Sequence, residues 1–347
     1  MIQTNQVDHL LQRMVNENQL PGAVYSVFNA EATLLENAIG WSHKDLPIKM
    51  TIDTVFDLAS LTKVTATLPS ILLLIEEGVI DLDDPIRYFY PEAVSTTLTI
   101  KHLLTHTSGL TWHIPFFKYN WTKEQVKKHI LTSGANPGRE IIYSDLNFIL
   151  LGFLVEDLTG HSLDVFSRNN VFLPLDMNET VFNPKCAKER IAPTEFRPEK
   201  KTYDWGTVHD ENAHQLGGVS GHAGLFATLF DLKKYVRMFL KQGADGDGKQ
   251  FLSRSTIKTS QRNFTKDLSL NRGLGWQLVD SCDSPLGYFF SPKSFGHTGF
   301  TGTSIWIDPE QEIGLILLTN RVHISREVNM NRIRRLFHNV VASTLSK

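Results

Sequence analysis

Strand-like segments stand at both ends of this 347-residue chain, and helical patterns fill most of the middle. Residues 22–30 and 33–42 are rich in β-branched and aromatic side chains, and residues 302–309 and 313–320 mirror them near the other end. Short turns join the two members of each pair. An amphipathic helix precedes the first pair, and a second helix, residues 329–345, follows the last strand. These patterns predict one antiparallel sheet flanked by the two terminal helices.

The middle of the chain predicts a helical insertion. Residues 186–214 carry little periodicity and predict a long loop region, of a length that usually serves or covers a site. We therefore predict an α+β fold in which an α/β domain, residues 1–65 and 215–347, is interrupted by an all-helical domain with long loops, residues 66–214. The predicted helices, separated by proline and glycine, are residues 68–77, 99–104, 123–133, 144–158 and 163–171.

Charge and composition restrict the partners of the protein. The formal net charge is -2 and no basic stripe runs along the chain, so nucleic acid is not an expected partner. The N-terminus lacks the pattern of a signal peptide, and the longest apolar runs are too short to span a bilayer, so we expect a cytoplasmic protein. Cys186 and Cys282 lack metal-ligand spacing and are expected to be free thiols. We expect no cofactor and no metal.

Ser60 and Lys63 form an S-x-x-K pair at the start of the most hydrophobic helical run. Residues i and i+3 share one face of a helix, so Lys63 can hold or accept the serine proton. The helix N-terminus adds free N–H groups and partial positive charge for an anion formed on attack. Ser255 and Lys258 have the same spacing but lie in a polar segment typical of a surface helix. The context therefore favours Ser60 as a nucleophile over a capping serine beside a snorkelling lysine.

Other motifs give weaker signals. Residues 218–222 approach a G-x-S-x-G nucleophile elbow but lack its last glycine, which disfavours a hydrolase of that type. His209 and His214 are five residues apart in a segment without helical signals, whereas a zinc helix needs a spacing of four. We expect this segment to line a cleft rather than hold a metal, even with His222 nearby. The aromatic residues between 112 and 121 fit a groove wall or a helical core equally well.

Two further motifs complete a pattern. Tyr143 and Asp145 begin a helical segment, and the triplet His297, Thr298 and Gly299 precedes a strand-like one. In this order, with the S-x-x-K pair, they resemble the serine β-lactamase and penicillin-binding protein superfamily. The resemblance is to the class C β-lactamase branch, which also holds D-Ala-D-Ala carboxypeptidases, D-aminopeptidases and esterases. It implies an α/β domain built from both termini, a helical insertion, and an active site in the cleft between them.

The resemblance implies catalytic roles for the motif residues. Ser60 would attack a carbonyl and become acylated, Lys63 would be its proton partner, and Tyr143 would act in the base and acid steps. The backbone N–H groups of Ser60 and Phe300 would form an oxyanion hole, and each such donor is typically worth about 3 to 4 kcal/mol.

The substrate-binding positions implied by the resemblance are Asp145, Asn147, His297, Thr298 and Gly299. His297 replaces the lysine of many β-lactamases, as in carboxypeptidase and esterase members, and imidazole is a weaker, pH-dependent anchor for a carboxylate. Asp145 replaces an asparagine and places a negative charge near the substrate. Asn147 either supplies the missing amide or faces the helical core. The two replacements argue against an efficient β-lactamase.

The leading hypothesis is a serine hydrolase that forms an acyl-enzyme at Ser60 on a peptide-like amide or an ester, as a penicillin-binding-protein-like carboxypeptidase or esterase. One alternative is a β-lactamase, for which a β-lactam is a covalent ligand. Another is a non-catalytic scaffold of the same fold, although the Ser-Lys-Tyr set is complete. A metallohydrolase built on His209, His214 and His222 is the third.

Overall fold

The computed structural model describes residues 5–280 and 284–346. Cys186 is a free thiol, whereas Cys282 lies outside the described residues. The helices are α1 Asn5–Asn16, α2 Leu68–Glu76, α3 Ile86–Phe89, α4 Ile100–Leu104, α5 Lys123–Thr132, α6 Asp145–Thr159, α7 Leu163–Ser167, α8 Glu211–Gln215, α9 Leu229–Leu240, α10 Arg254–Ser260 and α11 Met330–Leu345. The strands are β1 Gly22–Phe28, β2 Thr33–His43, β3 Ile48–Lys49, β4 Phe56–Asp57, β5 Val181–Phe182, β6 Phe196–Arg197, β7 Thr202–Tyr203, β8 Leu225–Ala227, β9 Gln277–Leu278, β10 Phe295–Thr298, β11 Ser304–Asp308 and β12 Ile313–Leu318.

A seven-stranded antiparallel sheet joins the two ends of the chain, in the order β3-β2-β1-β12-β11-β10-β9. Val24 of β1 pairs with Ala38 of β2 on one side and with Leu318 of β12 on the other. The prediction of one antiparallel sheet built from both termini is therefore confirmed. The triplet His297, Thr298 and Gly299 precedes β11 as predicted, and its first two residues also end a further strand, β10.

Both faces of the sheet are covered. Alternate residues of a strand point to opposite faces, and in β12 Leu315 and Leu317 pack against the terminal helices α1 and α11. Ile316 and Leu318 belong to the larger core shared with the helical part of the chain. This explains why β12 is apolar at successive positions instead of alternating, and it confirms the prediction that terminal helices flank the sheet.

The insertion contains the predicted helices, with ends shifted by a few residues. It was predicted to be all-helical, but the two-residue strands β5, β6 and β7 also lie within residues 66–214. A strand of two residues is too short to show an alternation in the sequence. β5, for example, is defined by its pairing with the distant β8. The division into domains at residues 65/66 and 214/215 stays a prediction. No helix in the described ranges has both the length and the apolar character needed to cross a bilayer.

Candidate active site

A tight turn presents Ser60 at the start of its helix. Ala59 adopts a left-handed conformation with φ 47°, which is uncommon for a residue with a Cβ. The buried carboxylate of Asp57 accepts hydrogen bonds from the backbone N–H groups of Ala59 and of His209, at 2.8 and 2.7 Å. The helix then continues through a π-helical turn, Lys63–Thr67, into α2. The turn is therefore held by a carboxylate on the strand before it.

Lys63 lies beneath Ser60 and is fully buried. Its Nζ atom donates hydrogen bonds to Ser60 Oγ at 2.9 Å, to Asp145 Oδ1 at 2.7 Å and to the carbonyl oxygen of His222 at 3.2 Å. Burial opposes its charge, but the neighbouring Asp145 carboxylate and the Tyr143 side chain outweigh burial and raise the pKa of Lys63 above its usual value. The lysine is thus an ammonium group at neutral pH, and it has no free lone pair with which to accept the serine proton.

Tyr143 and Asp145 reach the site because they flank the cap of α6. Ser144 is the N-cap, and its hydroxyl accepts from the Leu146 N–H at 3.2 Å and donates to the Thr111 carbonyl at 2.6 Å. The ring of Tyr143 is 38% exposed, and the Lys63 ammonium lies 5.1 Å from its centroid. The cap therefore places Tyr143 and Asp145 in the same cavity, next to Lys63.

A second turn, residues 299–303, brings the Phe300 N–H beside the Ser60 turn. Gly299 is required there, since an added Cβ would lie 2.4 Å from the Leu58 carbonyl oxygen and 2.1 Å from Thr303 Oγ1. Thr301 and Thr303 donate hydroxyl hydrogen bonds to the Asp57 and Leu58 carbonyls, at 2.7 and 3.1 Å. The two turns are therefore tied together.

Neither the Ser60 nor the Phe300 backbone N–H donates a hydrogen bond to another described residue. Two arginines bind the carbonyls around the second N–H. Arg334 donates to the Gly299 carbonyl at 2.7 Å, which belongs to the same peptide unit as the Phe300 N–H, and Arg321 donates to the Phe300 carbonyl at 2.9 Å. A cation on the carbonyl of a peptide polarises its N–H, so Arg334 strengthens the Phe300 N–H as a hydrogen-bond donor.

His297 is uncharged in this environment. Burial, together with the positive charges of Lys63 and Arg272, lowers its pKa well below 6.5. Its Nδ1 donates to the Thr298 carbonyl at 2.9 Å, and its ring lies 5.9 Å from the ring of Tyr143. The sequence interpretation of His297 as an anchor whose charge changes near neutral pH therefore does not fit the structure, because the ring is neutral throughout that range.

Arg272 was not recognised from the sequence, although it lines the same cavity. Its guanidinium carbon lies 5.8 Å from the centroid of the Tyr143 ring, and its side chain is 7% exposed. Arg272 belongs to no recognisable sequence motif. Its position is set by an isolated antiparallel β-bridge between its backbone and that of Gln277. Only the fold could have placed a cation here.

Asn147 is fully buried and does not line the cavity. Its Oδ1 accepts from the Ser108 hydroxyl at 2.6 Å, and its Nδ2 lies 3.1 Å from His106 Nδ1. Of the two alternatives for Asn147, the structure shows the position in the helical core. Asp145 likewise differs from expectation, since its charge is paired with Lys63 rather than free to face a substrate.

The segment of residues 209–214 does line the cleft, through His209, Asp210 and Glu211. It is not free of helix, because α8 begins at Glu211 with Asp210 as its cap. His222 Nε2 lies 2.9 Å from Asp210 Oδ1, and Ser220 Oγ lies 2.8 Å from His222 Nδ1. Ser220 is buried and lies outside the cavity lining, so this serine is a partner of the histidine and not a second nucleophile.

A metal reading of the three histidines finds no support in the geometry. Among the described residues, the group with metal-ligand spacing is Asp145, Asp210 and His222, whose ligand atoms lie within 4.8 Å of one another. The Lys63 ammonium bonds to Asp145 at 2.7 Å within this group. Asp145 of this group is therefore paired with the lysine of the chain itself, and Asp210 is paired with His222.

These groups meet in one open cavity of about 770 Å³. Trp112 forms part of its wall, whereas Phe116 of the same aromatic segment is buried in the core. The segment of residues 112–121 therefore serves partly as a groove wall and partly as helical core. Ser255 and Lys258 lie elsewhere, on the exposed face of α10. The sequence-predicted residues that line the cavity are Ser60, Tyr143, Asp145, His297, Thr298, Gly299 and Phe300.

Comparisons with known proteins agree with this fold and site. The profile of the Beta-lactamase family matches residues 7–339. A relative from Escherichia coli (strain K12), named "Putative D-alanyl-D-alanine carboxypeptidase", is 34% identical over 80% of this chain and 71% of its own. A relative of the same name from Salmonella typhimurium is 33% identical over 80% of this chain and 72% of its own.

Two solved structures share the fold. The structure titled "EstCE1, a hydrolase with promiscuous acyltransferase activity" has a TM-score of 0.75 and 20% identity, over 95% of this chain and 97% of the other. The octameric penicillin-binding protein homologue from Pyrococcus abyssi has a TM-score of 0.75 and 21% identity, over 96% and 77%.

The class that emerges is a serine hydrolase with the β-lactamase and penicillin-binding protein fold. The chain belongs to the beta-lactamase family, as the match over residues 7–339 and the identity to the Escherichia coli relative show. The resemblance inferred from the sequence motifs is therefore confirmed.

Proposed function

We propose that this serine hydrolase works through an acyl-enzyme at Ser60, on a small peptide-like amide or an ester. The observation that carries the proposal is the hydrogen bond from the Lys63 ammonium to Ser60 Oγ, 2.9 Å long, at the floor of the cavity. Because Asp145 keeps Lys63 protonated, Tyr143 is assigned as the group that takes the serine proton. The Lys63 ammonium then stabilises the negative charge that passes through Ser60 and Tyr143.

In the acylation step, Ser60 Oγ bonds to the substrate carbonyl carbon while its proton moves to the Tyr143 oxygen, which enters the step as a phenolate beside the Lys63 ammonium. The oxyanion accepts hydrogen bonds from the N–H groups of Ser60 and Phe300. The bond from carbon to the leaving nitrogen or oxygen then breaks, and Tyr143 returns the proton to the leaving atom. In the second step, water attacks the acyl-enzyme with the help of the same groups, which releases a carboxylic acid and restores Ser60.

The names of the relatives support an amide or ester substrate. Those at 33% and 34% identity are named carboxypeptidases, and a fold neighbour is titled a hydrolase with acyltransferase activity. The charge of Asp145 is paired and His297 is neutral, so neither residue supplies a cation like the lysine that many β-lactamases carry at the position of His297. Efficient β-lactamase activity is therefore the less favoured candidate.

A cytoplasmic location stays a prediction, which cell fractionation tests.

Intact-mass spectrometry tests the acyl-enzyme directly. The protein is treated with a fluorophosphonate and, separately, with a labelled penicillin. We expect one fluorophosphonate adduct on the wild type and none on Ser60→Ala. A matched control is Ser255→Ala, which removes the serine of the second S-x-x-K sequence and should label like the wild type.

The penicillin arm separates the candidate functions. Fluorophosphonate labelling without a stable penicillin adduct supports the esterase or peptidase function, whereas rapid turnover of penicillin would replace it with β-lactamase activity. Labelling that persists in Ser60→Ala contradicts the assignment of the nucleophile. No labelling of a folded wild type supports the non-catalytic scaffold.

A further inference from the structure

His209 contacts both turns that carry the proposed oxyanion-hole donors. Its backbone N–H donates to Asp57 Oδ2 at 2.7 Å, and the Oδ1 of the same carboxylate accepts from the Ala59 N–H at 2.8 Å. Its imidazole ring stacks on the ring of Phe300, with centroids 5.7 Å apart and planes inclined by 24°. One residue of the long loop region therefore connects the turn before Ser60 with the residue that supplies the second N–H.

His209 itself is firmly held, although it lies at the wall of the cavity. It is buried, and its Nε2 donates to the Glu195 carboxylate at 3.1 Å. Its carbonyl accepts from the Arg197 guanidinium at 2.8 Å. A side chain that is locked by packing and by hydrogen bonds can keep a neighbouring functional group in place.

The ring of Phe300 needs such a support. Phe300 is 46% exposed, so the core of the protein does not enclose it. The guanidinium carbon of Arg321 lies 4.5 Å from the ring centroid, and that of Arg326 lies 5.9 Å away. The stacking with His209 is the ring contact that also reaches the Asp57 carboxylate, and so it ties the Phe300 ring to the other turn.

Small displacements of the Phe300 peptide matter for the reaction. An oxyanion hole works when its donors lie about 2.7 to 3.1 Å from the oxygen, so a shift of a fraction of an ångström weakens one of the two hydrogen bonds. The ring and the N–H of Phe300 are attached to the same Cα. A ring that leaves His209 therefore gives the turn of residues 299–303 room to shift.

We propose that His209 is a positioning residue that aligns the two oxyanion-hole donors. Its backbone N–H fixes the Asp57 carboxylate, which holds the turn before Ser60. Its ring fixes Phe300. The proposal rests on the proposed acyl-enzyme at Ser60, because the two N–H groups serve the oxyanion of that reaction. His209 makes and breaks no bond to the substrate, and the acylation and hydrolysis steps are those given above.

The kinetics of fluorophosphonate labelling test the proposal, because the P=O oxygen of the probe takes the place of the oxyanion. Intact-mass spectra over time and probe concentration give the limiting rate constant, kinact, and the half-saturating concentration, KI. His209→Leu removes the aromatic ring and keeps the backbone N–H. We expect kinact to fall by about tenfold to a hundredfold and KI to change by less than about threefold, because a displaced donor weakens the transition state more than initial binding.

A rescue variant and a control accompany this change. His209→Phe keeps a ring against Phe300 and loses the bond to Glu195, so kinact should return to within about fivefold of the wild type. The control His214→Leu makes the same change at an exposed histidine of α8 that does not line the cavity, and it should keep the wild-type kinact and KI. Thermal unfolding followed by circular dichroism shows whether each variant is folded at the assay temperature.

A double-mutant cycle separates positioning from a general loss of structure. Phe300→Ala keeps the N–H of residue 300 and removes the ring on which His209 acts. Alone, it should lower kinact by about the same factor as His209→Leu, and it tests the same contact even where His209→Leu does not fold. In the Phe300→Ala background, His209→Leu should lower kinact by less than about threefold further, because residues in contact do not act independently.

Several results overturn the proposal. They are an unchanged kinact in folded His209→Leu or in Phe300→Ala, equal losses from His209→Leu with and without the Phe300 ring, and a folded His209→Phe as slow as His209→Leu. Absence of a label at Ser60 in the wild type contradicts the proposed function itself. A labelled wild type with any of the other results contradicts only the role of His209.

Discussion

Replacing Asp145 by asparagine tests whether Lys63 acts as an ammonium group. The change keeps a carbonyl oxygen of similar size in place of Oδ1, which lies 2.7 Å from Lys63 Nζ, and it removes only the negative charge. Lys63 is fully buried, and burial alone lowers the pKa of its side chain. Without Asp145 the buried cation keeps hydrogen bonds to Ser60 and to the His222 carbonyl, but no ion-pair partner within 4.0 Å among the described residues.

The size of the effect follows from the geometry. Removing one partner of a buried ion pair costs about 3 to 5 kcal/mol. Asp145 is 22% exposed and asparagine keeps a hydrogen-bond acceptor, so we take the lower end, about 3 kcal/mol. The same loss lowers the pKa of Lys63 relative to the wild type, because burial is no longer offset by the charge of Asp145. Since the pair raises the lysine pKa, its contribution to stability is fully present below about pH 10.5, and all of it is lost in the variant at pH 7.

Two measurements check this prediction. Urea unfolding at pH 7 should show the variant less stable by about 3 kcal/mol. The labelling rate at high pH should begin to fall at a lower pH than in the wild type, because the variant loses the Lys63 ammonium at a lower pH. The control Asp176→Asn removes the same charge from an exposed pair with Lys234 and should change little.

One result would refute the reasoning directly. If neutral Lys63 were the base, lowering its pKa would increase the fraction of free amine, and Asp145→Asn would label faster than the wild type at pH 7. Faster labelling would therefore transfer the role of base from Tyr143 to Lys63. An unchanged pH profile with unchanged stability would show that the ion pair has no energetic weight.

Three further predictions address the supports of the site. Ala59→Gly should raise the free energy of unfolding by about 0.5 to 1 kcal/mol, because glycine adopts φ 47° without strain. The variant should also have a lower kcat, because the turn that presents Ser60 becomes less rigid. An unfolding curve that shows equal or lower stability contradicts this prediction. Arg334→Met should lower the Ser60 acylation rate by about tenfold to a hundredfold with little change in KM, because the Phe300 peptide loses its cation, whereas Arg332→Met on the same helix should keep the wild-type rate. Burial lowers the pKa of His338 to about 4, so on acidification the unfolded state takes up a proton before the folded state does. The free energy of unfolding should therefore fall by about 3 kcal/mol between pH 6.5 and pH 4. His338→Asn should flatten this pH dependence in urea unfolding, and an unchanged dependence would assign the acid sensitivity to other groups.

Much of the fold was readable from local patterns. The strands at both ends, the terminal helices and the helices of the insertion follow from periodicity and from proline and glycine positions, and their bounds agree with the structure within a few residues. The two-residue strands and the helices α8 and α9 were missed. The shortest elements are stabilised by distant partners, such as the pairing of Phe226 in β8 with Val181 in β5.

The candidate site was readable only where residues are neighbours or belong to a motif. Ser60 and Lys63 share one helix face, so the sequence could pair them, and the family resemblance added Tyr143 and His297. Arg272 and Arg334 belong to no motif, and nothing local indicates that one lacks a partner while the other binds the carbonyl of Gly299.

By itself, the sequence determined the class of fold, the family and the nucleophile that it favours, because helix spacing and strand alternation act over a few residues. The tertiary structure decided the charge state of each polar group. Burial and long-range contacts make Lys63 an ammonium paired with Asp145, keep His297 neutral, and leave Arg272 unpaired at the cavity among the described residues. A charge state depends on desolvation and on partners 80 or more residues away, as in the pair of Lys63 with Asp145, which no local pattern records.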